Sequence, residues 1–163
     1  LIKKPNYSQT NSYKALNKFN FILNAYPNSD YEIDIIIKIQ ILQNNLAVNK
    51  LNIAKFYMNK NNYSAALLYL IENYENHSNS SSIQETLYYI TKIYKYFEEI
   101  ELAKKYAAIL AYNFPNSHWY EKSFNLLNDK EIKTNKNNWF NRFNPMKIII
   151  RDITEDVEVQ KID

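Results

Sequence analysis

The chain has 163 residues, of which 46% are hydrophobic and 15% aromatic, enough apolar material for one packed domain or a stack of small repeats and too much for a disordered chain. It contains no glycine and no cysteine; this excludes phosphate-cradling loops, dinucleotide fingerprints and nucleophile elbows, whose backbones need glycine, and also disulfides, thiolate zinc sites and Cys nucleophiles. The net charge is +3, from 20 basic and 17 acidic residues, too little for wrapping nucleic acid, and no apolar run approaches the roughly 20 residues that span a bilayer.

The absence of glycine also favours helices joined by Asn, Ser and Pro turns over hairpins and bulges. The abundance of Asn, Ile, Lys and Tyr has the look of an AT-rich coding bias, so enrichment in those residues is no functional signal by itself. The chain starts at Leu1 and not at a methionine, and the expectation is a fragment or processed product with any targeting signal upstream.

In chain order, the spacing predicts a helix from about Ser12 to Ala25, stopped by Tyr26-Pro27-Asn28-Ser29, with Ser29 or Asp30 placed to cap the next helix. That next helix runs from about Asp30 to Asn59 without a strong breaker and would be about 45 Å long. A helix from about Tyr63 to Tyr74 follows, then a polar loop from His77 to Ser82, then helices from about Ile83 to Phe97 and Glu99 to Asn113. Phe114-Pro115-Asn116-Ser117 repeats the earlier stop, and a last helix from about His118 to Asn128 is placed to cover an open end. From Asp129 to Asn138 the chain is polar and aperiodic, which reads as a linker. Beyond it come Trp139, Phe140 and Phe143, the apolar run Lys147 to Arg151, and an acidic end; a docking segment and disorder are both open readings for this tail.

Within these helices a spacing recurs. Ala15, Phe19, Ile22 and Pro27 match Ala103, Ala107, Leu110 and Pro115: a small residue, packing positions four and seven later, and a stop at twelve. A third copy, Ala66, Leu70, Asn73 and Ser78, has lost the pattern at its last two positions. Ile53, Ala54 and Tyr57 stand in front of Ala66, and Leu87, Ile90 and Tyr94 stand in front of Ala103, at the positions of a partner helix. This is the pattern of the tetratricopeptide (TPR) unit, a pair of antiparallel helices of about 34 residues that nest through the small residue. The expected fold is therefore all-α: a TPR helical-repeat solenoid over residues 1–128, with one over-long helix where Ala15 and Ala66 stand 51 apart, and a C-terminal capping helix.

Site chemistry is sparse. His77 and His118 are the near-neutral acid–base groups, both in loops or at helix starts without a convincing carboxylate partner, and each is expected to be solvated or capping. Glu98, Glu99 and Glu101 lie in a turn and at a helix N-terminus, where negative charge caps and does not form a catalytic dyad. No catalytic, cofactor or metal residue is assigned, and the chain is expected not to be an enzyme. The 15 tyrosines supply amphipathic contact area at low entropic cost. Tyr57 and Tyr94 fall on packing positions, each ring worth about 1.5–3 kcal/mol if buried. Tyr69, Tyr74 and Tyr106 fall between packing positions and are expected to face outward, where a protein interface and simple coding bias compete as explanations. The candidate protein-contact residues are Tyr69, Glu72, Tyr74, Tyr106, Trp119 and Tyr120.

Taken together, Phe19-Asn20-Phe21-Ile22-Leu23, Tyr26-Pro27-Asn28-Ser29-Asp30-Tyr31, Ile53-Ala54-Lys55-Phe56-Tyr57, Asn62-Tyr63-Ser64-Ala65-Ala66, Leu102-Ala103-Lys104-Lys105 and Phe114-Pro115-Asn116-Ser117-His118-Trp119-Tyr120 resemble the BamD family over residues 10–128. These are TPR lipoproteins of the outer-membrane β-barrel assembly (BAM) machinery. The resemblance implies the third to fifth of five repeats, with earlier repeats and a lipid-modified cysteine before Leu1, at the periplasmic face of the Gram-negative outer membrane. It implies a scaffold that docks the periplasmic POTRA region of BamA beside other BAM subunits and helps to insert outer-membrane proteins, unfolded ones being contacted chiefly by the earlier repeats. Two positions depart from the family. Tyr69 stands where an Arg that contacts BamA is common, and His77-Ser78 stands in place of a Tyr-Pro, which implies a looser turn. The alternative is another TPR adaptor that binds peptides or protein partners in its concave groove.

Overall fold

The computed structural model describes residues 9–128. They form six helices: α1 Thr10–Ala25, α2 Glu32–Asn59, α3 Tyr63–Asn76, α4 Ile83–Tyr96, α5 Ile100–Asn113 and α6 His118–Asn128, with no strand among the described residues. The fold is all-helical and TPR-like, as the alanine spacing predicts. The linker and tail read into residues 129–163 lie outside the described residues. The chain divides between Thr86 and Leu87 into two compact units.

In the first unit α2 is the organising element, packed on both α1 and α3. Leu42, Leu46, Ala47, Leu51 and Ala54 lie buried along one stripe of it, at the period of a helix. Ala66 and Leu70 of α3 meet this stripe and are wholly buried. Burying a leucine this completely stabilises by about 1.5–3 kcal/mol. Ala15 differs from Ala66: it is only half-buried, as are Phe19 and Ile22, because α2 is the one helix packed extensively on α1 among the described residues.

The degenerate third copy keeps its place in the core. Asn73 is wholly buried, and its Nδ2 donates to Thr86 Oγ1 at 2.9 Å, which in turn donates to Ser82 O at 2.9 Å. A polar bridge thus stands where the matching position of the other copy carries the buried Leu110, and Asn73 Oδ1 is left without a partner. Nor is the turn after α3 loose. Ser81 N and Ser81 Oγ both donate to Asn44 Oδ1, at 2.9 and 2.8 Å, and so tie the turn to α2.

The second unit buries Leu87, Ile90 and Ile93 of α4 and Ala103, Ala107, Ala108, Leu110 and Ala111 of α5. Small side chains over successive turns of α5 leave room for close neighbours, and α6 packs on this helix.

Without glycine, three other residues take the left-handed conformation: Asn28 at φ 61°, Asn61 at φ 57° and Glu98 at φ 62°. Asn tolerates this region, whereas a glutamate gains nothing local from it. Asn61 precedes the N-cap Asn62, whose side chain accepts from Ala65 N at 3.1 Å. Glu98 precedes Glu99 in the same way, but the Glu99 side chain makes no cap bond, contrary to the capping expected of it. The expected cap of α2 by Ser29 or Asp30 is also replaced: Tyr31 occupies the N-cap position, and Glu32 reaches back to accept from Asn28 N at 2.8 Å.

Candidate protein-docking surface

The sequence spacing turns Tyr69 and Tyr106 outward, and the structure corrects this. Each is half-buried and lies flat on the tyrosine of its partner helix, Tyr69 on Tyr57 at 5.5 Å and 12°, Tyr106 on Tyr94 at 5.6 Å and 13°. The two stacks occupy equivalent positions 37 residues apart, as do Ala66 and Ala103. Stacking adds about 0.5–1.5 kcal/mol beyond the buried area, so these ring faces serve the repeat itself. Tyr57 and Tyr94 are likewise half-buried, not core residues.

Glu72 is partly exposed and forms an ion pair with Lys50, whose side chain is 11% exposed. Its first duty is to neutralise a nearly buried ammonium. Tyr74 is half-buried on the same helix. In the second unit Trp119 anchors an aromatic patch, with Tyr88 at 5.2 Å, Tyr89 at 6.2 Å and His118 at 5.7 Å. Lys122 Nζ lies 4.5 Å from the Trp119 ring centroid, a cation–π contact. Tyr120 sits edge-on to Phe124, and burial pushes the Tyr120 and Tyr88 hydroxyls above their usual pKa. The six candidates therefore fall into two groups: Tyr69, Glu72 and Tyr74 on α3, and Tyr106, Trp119 and Tyr120 on α5 and α6.

An exposed apolar feature of α2 has no counterpart among the residues singled out from the sequence. Ile33, Ile36, Ile37 and Ile41 form a stripe on α2, with Ile33 74% exposed and Ile37 49% exposed. Beside it, a groove of about 480 Å³ is lined by Phe19, Ile22, Tyr26, Tyr31 and Ile35 together with Asp34 and Lys38. A signal was present. The start of α2 carries isoleucine on every side, more than one buried face can use.

Neither histidine joins a catalytic cluster. Burial, and after it the nearby Lys50, lowers the pKa of His77, while Glu72 opposes them. Among the described residues no group of three or more His, Cys, Asp or Glu could hold a metal, and no helix is long and apolar enough to cross a membrane.

The model of the family described as "YfiO: Outer membrane lipoprotein" matches residues 3–110. The chain is 32% identical over 127 residues to the outer membrane protein assembly factor BamD of Rickettsia prowazekii (strain Madrid E), covering 78% of this chain and 51% of that one. It is 30% identical over 128 residues to the protein of that name from Caulobacter vibrioides, covering 78% of this chain and 42% of the relative. For Neisseria gonorrhoeae BamD the identity is 27% over 104 residues, covering 64% and 39%. The chain thus spans about half the length, or less, of the curated relatives it matches. With the family match running through the first helix into α5, and with relatives at 30% identity or more over 78% of the chain, this chain belongs to the YfiO family of outer membrane lipoproteins.

Proposed function

We propose that this chain is a non-catalytic scaffold of the outer-membrane β-barrel assembly machinery, at the periplasmic face of the outer membrane, and that it docks the periplasmic POTRA region of BamA. The scaffold is assigned to residues 1–128. Support comes from relatives named as outer membrane protein assembly factors and above all from one observation, the exposed isoleucine stripe of α2. Apolar stripes rimmed by polar groups mark protein contacts, because water gains from their burial. Glu72, Tyr74, Trp119 and Tyr120 offer further contacts, with Tyr69 and Tyr106 contributing hydroxyls and ring edges. Other assembly subunits and unfolded outer-membrane proteins are further partners under this reading.

The test is co-purification of the folded chain with the matching BamA periplasmic domains. Retention by the wild type, and its loss in Ile37→Glu at unchanged helicity, is the expected result; a folded wild type that is never retained overturns the assignment. The second reading, an adaptor that takes peptides, is favoured by the apolar groove at Phe19, Ile22 and Tyr31. Binding of apolar peptides there, with no retention by BamA, would select it.

A further inference from the structure

Between α2 and the turn after α3 lies a cleft of about 450 Å³, within the range of about 300–1,000 Å³ that small-ligand sites occupy. Gln40, Gln43 and Asn44 form one side, and Asn76, His77 and Ser80 the other. Its lining is wholly polar yet holds no fixed charge. Lys50 and Glu72, the charges that act on His77, are paired with each other. A charged ligand would therefore lose its hydration without meeting a free counter-charge.

Two of the amides are already oriented. Asn44 Oδ1 is occupied by the two Ser81 donors, which leaves its NH2 group as the free end. Asn76 Nδ2 donates to Glu72 O at 2.9 Å, which leaves its carbonyl oxygen free. The cleft thus offers a held donor and a held acceptor, beside the Gln40 and Gln43 amides. This is the complement of a peptide group, which carries one N–H and one C=O. A sugar fits less well, since no Phe, Tyr or Trp ring lines the cleft for its C–H face to rest on.

We propose that this cleft holds the main chain of an uncharged, extended peptide segment, the Asn44 NH2 donating to a peptide carbonyl and the Asn76 carbonyl accepting a peptide N–H. Recognition of this kind reads the backbone and tolerates many sequences. It does not rest on the docking of BamA, and either can fail without the other.

The test titrates the 15N-labelled full chain with acetyl-Ala-Thr-Ala-Ser-amide, and separately with the same peptide N-methylated along its main chain, while NMR follows the side-chain amides of Gln40, Asn44 and Asn76. Saturable shifts at these amides by about 10 mM peptide are expected, with binding weakened at least about tenfold by N-methylation or by Asn76→Ala. Asn76→Ala removes one exposed local bond; Gln43→Ala serves as a second variant, expected to weaken binding several-fold. No saturation by the plain peptide, equal binding of the N-methylated form, or saturation of the same signals by maltotetraose each overturns the proposal.

Discussion

Glu98 sits in the left-handed region at φ 62° without the side-chain chemistry that makes this tolerable for asparagine. An L-residue there costs about 1–2 kcal/mol through the clash of Cβ with the following carbonyl, and glycine has no Cβ to clash. Glycine also gains more freedom in the unfolded chain, which returns about 0.5–1 kcal/mol. Glu98→Gly is therefore expected to stabilise by about 0.5–1 kcal/mol, raising Tm by about 1–4 °C for a chain of this size. The backbone bonds of the turn, Glu98 N to Lys95 O at 3.1 Å and Glu99 N to Tyr94 O at 3.0 Å, need no side chain and should persist. Thermal melts followed by far-UV circular dichroism provide the assay. Glu98→Gln is the necessary control: it keeps Cβ but removes a charge that stands beside Glu99 and Glu101. Asn61→Gly, at the equivalent position, should gain less than Glu98→Gly. If Gln matches Gly, charge repulsion and not backbone strain is the cause, and if Gly lowers Tm the reasoning fails.

Three further outcomes are expected. Asn73→Leu should stabilise the first unit by about 1 kcal/mol in urea unfolding, since it removes a buried oxygen without a partner and restores the apolar character that Leu110 has at the matching position; a loss above 1 kcal/mol would show that the bridge to Thr86 outweighs it. Glu72→Gln should destabilise by about 1–2 kcal/mol by stranding the nearly buried Lys50, less than for a fully buried pair because Glu72 is half-exposed; an unchanged urea midpoint would mean that Lys50 finds water. Finally, the folded chain resists protonating His77, whose pKa lies below the ordinary 6.5, whereas the unfolded chain takes up that proton freely. Stability from this group is thus complete above about pH 6.5 and declines as pH falls through the folded pKa. His77→Gln should flatten that part of the urea-midpoint profile between pH 7.5 and pH 5.5, and parallel profiles would count against it.

What the sequence made legible was set by local spacing. The helix from His118 to Asn128 is found with the bounds predicted, and α2 is over-long as the gap between Ala15 and Ala66 required. Both follow from where breakers stand and from how often a small residue recurs, which neighbours along the chain decide. The stacked tyrosines and the isoleucine stripe needed more. Whether Tyr69 faces water depends on Tyr57, twelve residues earlier and across a turn, coming to lie parallel to it. Ile35, Ile39 and Leu42 lie on the buried face of α2 at the helical period, but periodicity alone does not say that Ile33, Ile37 and Ile41 are left uncovered.

The equivalence of the two helix pairs bears on which forces set the turn. Asn61 and Glu98 differ in charge, size and intrinsic preference, yet both adopt φ near 60°. Asn62 caps its helix with a side-chain bond and Glu99 does not. If local preference fixed the turn, these differences would produce different turns. What the two sites share lies to either side: the tyrosine three residues after the small residue, stacked on the tyrosine nine residues before it, and the buried alanines Ala66 and Ala103. The helix pairing is therefore the stronger constraint, and the connecting residue accepts whatever backbone angle that pairing imposes. Tyr94→Ala should accordingly relax Glu98, so that the gain from Glu98→Gly shrinks in the double variant. Thermal melts of the four chains measure this coupling, and strict additivity would return control of the turn to its own residues.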